Sequence, residues 1–401
     1  MHDNASDTAQ SPAQSGGIDA GGWRATVPLS LYIHTPWCLR KCPYCDFNSH
    51  ERSTLPETDY LRALLADLDA DLPHTGGRPI HSIFIGGGTP SLLSGEFYQY
   101  LFKALADRLT FSADMEVTLE ANPGTVEQAR FDAYRRAGIN RLSIGVQSFN
   151  PTHLQALGRI HGCDEALAAV AAGRRAGFDN INLDLMHGLP GQTPAQALAD
   201  LEQAIALQPT HLSWYELTIE PNTAFFRQPP EQPDSDTLAD IEAAGFARLA
   251  EAGYQRYEIS AFARHRQHCR HNLNYWQFGD YLGIGAGAHG KLSFADGHIL
   301  RYQKTRLPEH YLAAVEHGRQ RHWLTEEDLP LEFWMNALRL VDGVPATLFA
   351  ERTGLPAAQA NTLAALTDKG LLLTDGDRVR CSALGLAHLN TVLGAFQTTS
   401  R

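Results

Sequence analysis

The chain is 401 residues long, 43% hydrophobic, and carries a formal net charge of -12. That length can bury one large domain and a smaller one. The acidic balance, without a dense Lys/Arg run, excludes nucleic acid as the main partner and electrostatic docking on anionic lipid.

Residues 1–22 are rich in Ser, Ala, Gly, Gln and Asp and lack the basic and apolar regions of a secretory signal. Residues 1–28 are therefore expected to form a disordered tail. No apolar run reaches the roughly eighteen residues of a membrane span, so a cytoplasmic protein without a transmembrane segment is expected.

From Leu29 onward, short apolar strands alternate with amphipathic helical stretches. Strands are predicted over 29–36, 82–86, 116–121, 141–146, 180–185 and 211–217, with helices over 60–72, 95–109, 126–137, 164–176 and 195–207 between them. Six strand–helix units predict an α/β fold, a partial TIM-type (β/α)6 barrel over 29–265. Arg-Arg-Ala-Gly138, Arg-Arg-Ala-Gly177 and Ala-Glu-Ala-Gly253 each precede a new strand, as a glycine closing a helix would. The third copy leads into one further expected strand over 254–262.

Residues 266–324 read as a connecting segment with two motifs, His271-Asn-Leu-Asn-Tyr275-Trp276 and Gly283-Ile-Gly-Ala-Gly-Ala-His289-Gly. From 325 to 401 the pattern is mostly helical, over 332–340, 346–353, 357–369 and 384–393, with a hairpin signalled by Asp375-Gly376. This arrangement resembles a winged helix. The helix placed for recognition, 357–369, has one Lys, one Asp and no Arg, which favours a structural or partner-binding role over DNA.

The chemistry starts at Cys38, Cys42 and Cys45, spaced C-x3-C-x2-C after the first strand. A cubane 4Fe-4S cluster normally takes four thiolates, so three leave one iron open. Structural zinc would need a fourth ligand, for which His34 or His50 is near in sequence. Cys163, Cys269 and Cys381 are isolated and are expected to be small buried hydrophobes.

Barrels of this kind place active sites at the C-terminal ends of their strands. Those ends carry the cysteine loop, Gly86-Gly87-Gly88-Thr89-Pro90, Glu120-Ala-Asn-Pro, Gln147-Ser-Phe and Asp184-Leu-Met-His-Gly. Consecutive glycines let backbone approach a ligand closely. Glu120 and Asp184 suit ribose hydroxyls, or else cap the following helices.

Together these features resemble the radical S-adenosylmethionine (SAM) superfamily. Tyr32-Ile-His-Thr-Pro-Trp-Cys, Gly-Gly-Gly88-Thr-Pro, Gly-Val-Gln147-Ser-Phe and Leu-Gly-Arg159-Ile-His are similar to the oxygen-independent coproporphyrinogen III oxidases within it. The resemblance implies a 4Fe-4S cluster on Cys38, Cys42 and Cys45, with SAM chelating the open iron and cleaved reductively to a radical. It implies a first SAM site lined by Tyr32, Gly87 and Glu120, with Tyr44 beside the cluster. Gly88, Thr89, Gln147, Arg159 and Asp184 correspond to positions for a second SAM.

Two departures direct the reading. The oxidases carry a further cysteine where this chain has Phe47, and a structured N-terminal segment where it has the tail. Cys45-Asp-Phe-Asn-Ser, with the motifs at His271 and His289, is instead similar to the HemW-type haem chaperones. That resemblance implies haem as cargo, with His271, Tyr275 and Trp276 as candidate contacts. It also implies transfer to acceptor apoproteins, respiratory membrane proteins among them, an electron donor, and a dimer. The alternative is oxidative decarboxylation of coproporphyrinogen III.

Overall fold

Alternation along the parallel strands decides which face of the sheet meets the helices. In the computed structural model, which describes residues 26–313, 319–356 and 359–397, six strands pair in parallel and in order. They are β1 (Leu29–Thr35), β2 (Ile80–Gly87), β3 (Phe111–Ala121), β4 (Arg141–Gln147), β5 (Asn180–His187) and β6 (His211–Glu216). Between and after them run α1 (Glu57–Asp71), α2 (Gly95–Ala106), α3 (Phe131–Ala137), α4 (Cys163–Arg175), α5 (Pro194–Ala206) and α6 (Ser235–Glu251). The stretch expected as a tail lies, but for its last three residues, outside the described residues.

Among these six helices, capping side chains satisfy the first amides of α2, α5 and α6. Ser94 accepts from Phe97 N, Thr193 from Gln196 N and Asp234 from Thr237 N. Three of the six end at the repeated glycines, Gly138, Gly177 and Gly253, at φ +112°, +83° and +82°.

One face of each strand is apolar. Leu31 and Ile33, Ile83 and Ile85, Val117 and Leu119, and Leu142 and Ile144 are buried in one core with Leu64, Leu101 and Val170 from the helices. Each such side chain contributes roughly 1.5–3 kcal/mol on burial. The other face is polar, and its side chains bond one another. Ser30 Oγ lies 2.8 Å from Ser82 Oγ, Ser143 Oγ donates to Asp184 at 2.8 Å, Asn182 Nδ2 donates to Ser143 Oγ at 2.7 Å, and His211 Nδ1 lies 2.6 Å from Asn182 Oδ1. Parallel strands buried on both faces are normally apolar throughout. Here the inner face surrounds a polar site rather than a packed core.

Where one strand was expected over 254–262, the chain makes two, β7 (Gln255–Glu258) and β8 (Ala261–Ala263), antiparallel to each other, with β8 also antiparallel to β6. Arg256 Nε bonds Ile259 O at 3.1 Å and Ser260 N donates to Glu258 at 3.2 Å, which holds the turn between them.

Residues 266–324 do more than connect. They form α7 (Arg270–Trp276) and then β9 (Asp280–Ile284), β10 (His289–Ser293), β11 (Ile299–Lys304) and β12 (Arg319–Leu324). β9 pairs in parallel with β1, Tyr32 opposite Gly283, so β1 lies between β2 and β9. The complete sheet has twelve strands in the order β12-β11-β10-β9-β1-β2-β3-β4-β5-β6-β8-β7. Buried charges hold this extension. Asp280 takes Arg78 at 2.8 Å and Lys291 at 3.0 Å, while Lys304 binds Asp67 and lies 2.7 Å from Asp71.

The C-terminal unit contains α8 (Leu329–Ala337), α9 (Leu348–Thr353) and α10 (Ala360–Asp368). Its small sheet consists of β13 (Val344–Pro345), β14 (Leu372–Asp375) and β15 (Arg378–Cys381), in the order β13-β15-β14. β14 and β15 form the expected hairpin, Asp375 opposite Arg378. The single helix expected over 384–393 is broken into Ala383–Ala387 and Leu389–Gly394, because His388 between them takes a non-helical φ of -119°. Phe333, Trp334 and Phe349 share a core with Phe278 and Ile299, which fastens this unit to the sheet. No helix of the described residues is long and apolar enough to cross a membrane.

Candidate functional site

The loop after β1 is short and tightly tied. Trp37 is buried edge-on against Tyr60 at 4.6 Å, and Trp37–Cys38 pairs with His50–Glu51, so the three cysteines lie within a closed loop. Each thiol has its own neighbour. Thr89 Oγ1 lies 3.4 Å from Cys38 Sγ, Arg159 Nη1 lies 3.6 Å from Cys42 Sγ, and Ser49 Oγ lies 3.9 Å from Cys45 Sγ. Burial pushes the Cys38 and Cys45 thiols above their usual range. Among the described residues no three His, Cys, Asp or Glu side chains gather as a single ion would require. His34, weighed above for zinc, has both ring nitrogens engaged, with Tyr32 OH at 2.9 Å and Asn48 O at 2.9 Å.

The triple glycine packs directly on this loop. Gly88 N donates to Thr35 O at 2.6 Å and Thr89 N to Trp37 O at 2.7 Å. Gly87 has φ +112°, and a Cβ there would stand 2.6 Å from the His34 ring; one on Gly88 would stand 2.5 Å from Trp37 O. No side chain fits at either position, which leaves bare backbone beside the cysteines.

A cavity of about 340 Å³ opens at the strand tips. Its lining includes the three cysteines, Tyr44, Gly87, Gly88 and Thr89, with Glu120, Gln147, Arg159 and Asp184. Tyr32 is not among them, because its side chain faces the neighbouring cavity. Glu120 accepts from Gly87 N at 3.2 Å, and burial with the nearby Asp184 pushes its pKa up to about 8. Asp184 is also raised by burial, against bonds from Ser143 and Asn182 that stabilise its charge. Gln147 takes a positive φ of 68° and accepts from Tyr215 OH at 2.8 Å. Arg159 is held by Asn122 Oδ1 and Gly145 O, each at 2.8 Å.

A second cavity of about 710 Å³ adjoins the first. They share Phe47, Gly87, Glu120, Asn272 and Trp276. The second wall is aromatic, with Tyr32, Phe84, Tyr275 and Tyr281 beside His271 and His289. Helix α7 organises it. His271 and Tyr275 sit four residues apart on one stripe facing this cavity, and Asn272 and Trp276 form the next stripe on the shared wall. His271 Nδ1 lies 3.3 Å from Ser82 Oγ, and burial lowers its pKa to about 3, so the ring is neutral. In the tautomer whose Nδ1–H donates to Ser82 Oγ, Nε2 offers its lone pair to a ligand.

Ser143 and Tyr215 of the first cavity, and Tyr281, Gln303 and Arg306 of the second, lie outside the sequence motifs, whereas Asn122 and Asn272 lie within Glu120-Ala-Asn-Pro and the His271 motif. A signal existed for some of them. Polar residues at every second position, Arg141-x-Ser143-x-Gly145-x-Gln147 and His211-x-Ser213-x-Tyr215, mark the inner face.

Known proteins are similar to this chain in sequence and fold. Heme chaperone HemW of Haemophilus influenzae is 51% identical over 377 residues, covering 92% of this chain and 98% of that protein. Its counterpart from Escherichia coli is 55% identical over 329 residues, covering 82% and 87%. The chain belongs to the HemW family. A mitochondrial radical S-adenosyl methionine domain-containing protein 1 from Bos taurus is 36% identical over 399 residues, covering 94% and 89%. The radical SAM superfamily matches residues 32–204 and the HemN C-terminal domain residues 324–388. The structure of coproporphyrinogen III oxidase (HemN) from Escherichia coli superposes with a TM-score of 0.78 at 26% identity, covering 94% of this HemW-family chain and 92% of that one.

Membership of the radical SAM superfamily implies a 4Fe-4S cluster and SAM. The donor set fits both. Three separate thiols suit one thiolate per iron better than one crowded zinc. Two buried acids with Arg141 nearby but no direct ion pair among the described residues, Glu120 and Asp184, and a buried guanidinium, Arg159, complement the sulfonium, ammonium, hydroxyl and carboxylate groups of SAM.

Proposed function

We propose that this chain is a haem chaperone that takes haem into the second cavity and hands it to acceptor proteins, membrane-bound respiratory proteins among them. The observation that carries the reading is the aromatic cavity of about 710 Å³ with a neutral imidazole, His271, in its wall. Its size lies within the range of small-molecule and cofactor sites. A neutral imidazole is an axial haem ligand, and aromatic rings cover a macrocycle. In this reading His271 faces the iron, and Tyr275 and Trp276 flank the ring. Relatives named heme chaperones at 51% and 55% identity support it.

Cys38, Cys42 and Cys45 hold the cluster. Tyr44, Gly87 and Glu120 surround a first SAM, with Tyr32 on the far side of the shared Gly87 and Glu120, while Gly88, Thr89, Gln147, Arg159 and Asp184 serve a second. When bound, the cluster supplies one electron to the sulfonium. This chain's own residues set the conditions: Glu120 and Asp184 offer oxygen acceptors, Arg159 a positive charge, and the bare Gly87–Gly88 backbone a close approach. An electron donor, a cytoplasmic location and a dimer complete the proposal. Exposed Phe47 presents an apolar face at the wall between the cavities, where the oxidases are similar but carry a thiol.

Anaerobic reconstitution tests this directly. The protein should retain iron and sulfide, and Cys38→Ser, Cys42→Ser and Cys45→Ser should each lose them, whereas Cys381→Ser should not. Haem added to the reconstituted protein should give a Soret band that His271→Ala abolishes. Protoporphyrinogen formed from coproporphyrinogen III would overturn the chaperone reading in favour of the oxidase.

A further inference from the structure

Haem brings two carboxylates as well as an iron, and the second cavity contains one guanidinium. Arg306 is the single Arg or Lys among its lining residues. It is exposed, and its side chain makes no hydrogen bond or ion pair among the described residues.

Its backbone, by contrast, is fixed. Asn48 Nδ2 donates to Arg306 O at 2.8 Å and to Ala286 O at 2.9 Å. Asn48 follows Phe47 in the cysteine loop, and its own carbonyl bonds His34 Nε2 at 2.9 Å. Gly287 comes so close that a Cβ would stand 2.3 Å from Asn48 Nδ2. A rigid support therefore carries a long, unpaired cation at the mouth of an aromatic cavity.

The other charges there leave this one in command. Burial favours the protonated form of Glu120 on the shared wall. Asp46, exposed at the same mouth, repels carboxylates. An apolar macrocycle buried among Tyr32, Phe84 and Trp276 would leave its acid groups at the solvent side, where Arg306 can reach them.

We propose that Arg306 recognises a carboxylate of the porphyrin cargo, so that the cavity selects the free acid over a neutral ester. The inference rests on the haem reading above and assigns the group that sets its specificity.

The test compares haem with iron protoporphyrin dimethyl ester, both titrated in the same detergent into reconstituted wild type, R306Q and R306K. Wild type should bind haem about tenfold more tightly than the ester, the low end for a charge-assisted hydrogen bond at an exposed rim. In R306Q the two affinities should converge, and R306K should restore part of the gap. Added salt should narrow the gap in wild type. The same haem-to-ester ratio in R306Q as in wild type, with haem still bound, would overturn the role of Arg306 and leave the haem reading standing. Wild type that binds neither porphyrin would overturn that reading, and this inference with it.

Discussion

Arg159 Nη1 lies 3.6 Å from Cys42 Sγ, joining the loop after β1 to the segment that follows β4. The guanidinium is anchored on Asn122 and Gly145, so its approach to the sulfur is built in. A positive charge and a donor beside a cluster sulfur favour the reduced state. Arg159→Gln should therefore make the cluster harder to reduce, by about 60 mV or more if the contact is worth 1.5 kcal/mol. A redox titration followed by electron paramagnetic resonance measures this, and an unchanged midpoint would show that the contact does not act on the metal.

Glu120 supplies a pH dependence. Its folded pKa is raised from 4.5 to about 8, mainly by burial and then by Asp184. Between these values the folded protein holds a proton that the unfolded chain has lost. The penalty is absent below about pH 4.5 and grows until about pH 8. Glu120→Gln should stabilise the cofactor-free protein by about 1–3 kcal/mol at pH 8 and by less at pH 6. Urea unfolding at the two pH values checks this, and an equal gain at both would contradict the raised pKa. The same variant should weaken SAM binding.

The shared wall predicts coupling. Phe47, Asn272 and Trp276 border both cavities, so a ligand in one contacts side chains that shape the other. SAM should change the haem dissociation constant by roughly 5- to 150-fold, and haem should change SAM affinity by the same factor. Trp276→Ala should reduce both effects together. Calorimetric titrations in both orders measure the factor, and haem affinity that ignores SAM would refute the coupling.

Lys304 tests the scaffold. It is fully buried between Asp67 and Asp71, with Arg319 also on Asp71. Lys304→Met strands Asp67, leaves Asp71 with Arg319 alone, and should cost about 3–5 kcal/mol. The double variant that adds Asp67→Asn should recover much of that loss, because it removes the uncompensated charge as well. Denaturant midpoints of the two variants decide the matter.

Much of the fold was legible because helices and parallel strands differ in period. The six strands and the glycines at 138, 177 and 253 could be read from local pattern alone. β9 could not. Asp-Tyr-Leu-Gly-Ile is short, and it contains Gly283 because a Cβ there would stand 1.8 Å from His289 O, a constraint set by β10 and invisible locally. The same holds for the site. Cysteine spacing marks the loop, but Arg306 carries no motif, and the motifs that contain Asn48 and Asn122 do not reveal their contacts, which are with residues distant in sequence.

The place of β1 bears on how the protein is made. The strand that leads into the cysteines is among the first synthesised, yet one of its two neighbours, β9, ends at Ile284. Pairing so distant in sequence forms slowly. Until it forms, one edge of β1 stays unpaired. The sheet beside the cysteine loop is therefore complete only after most of the chain has left the ribosome, and a truncation before residue 280 should yield a product that retains iron less well than the full chain.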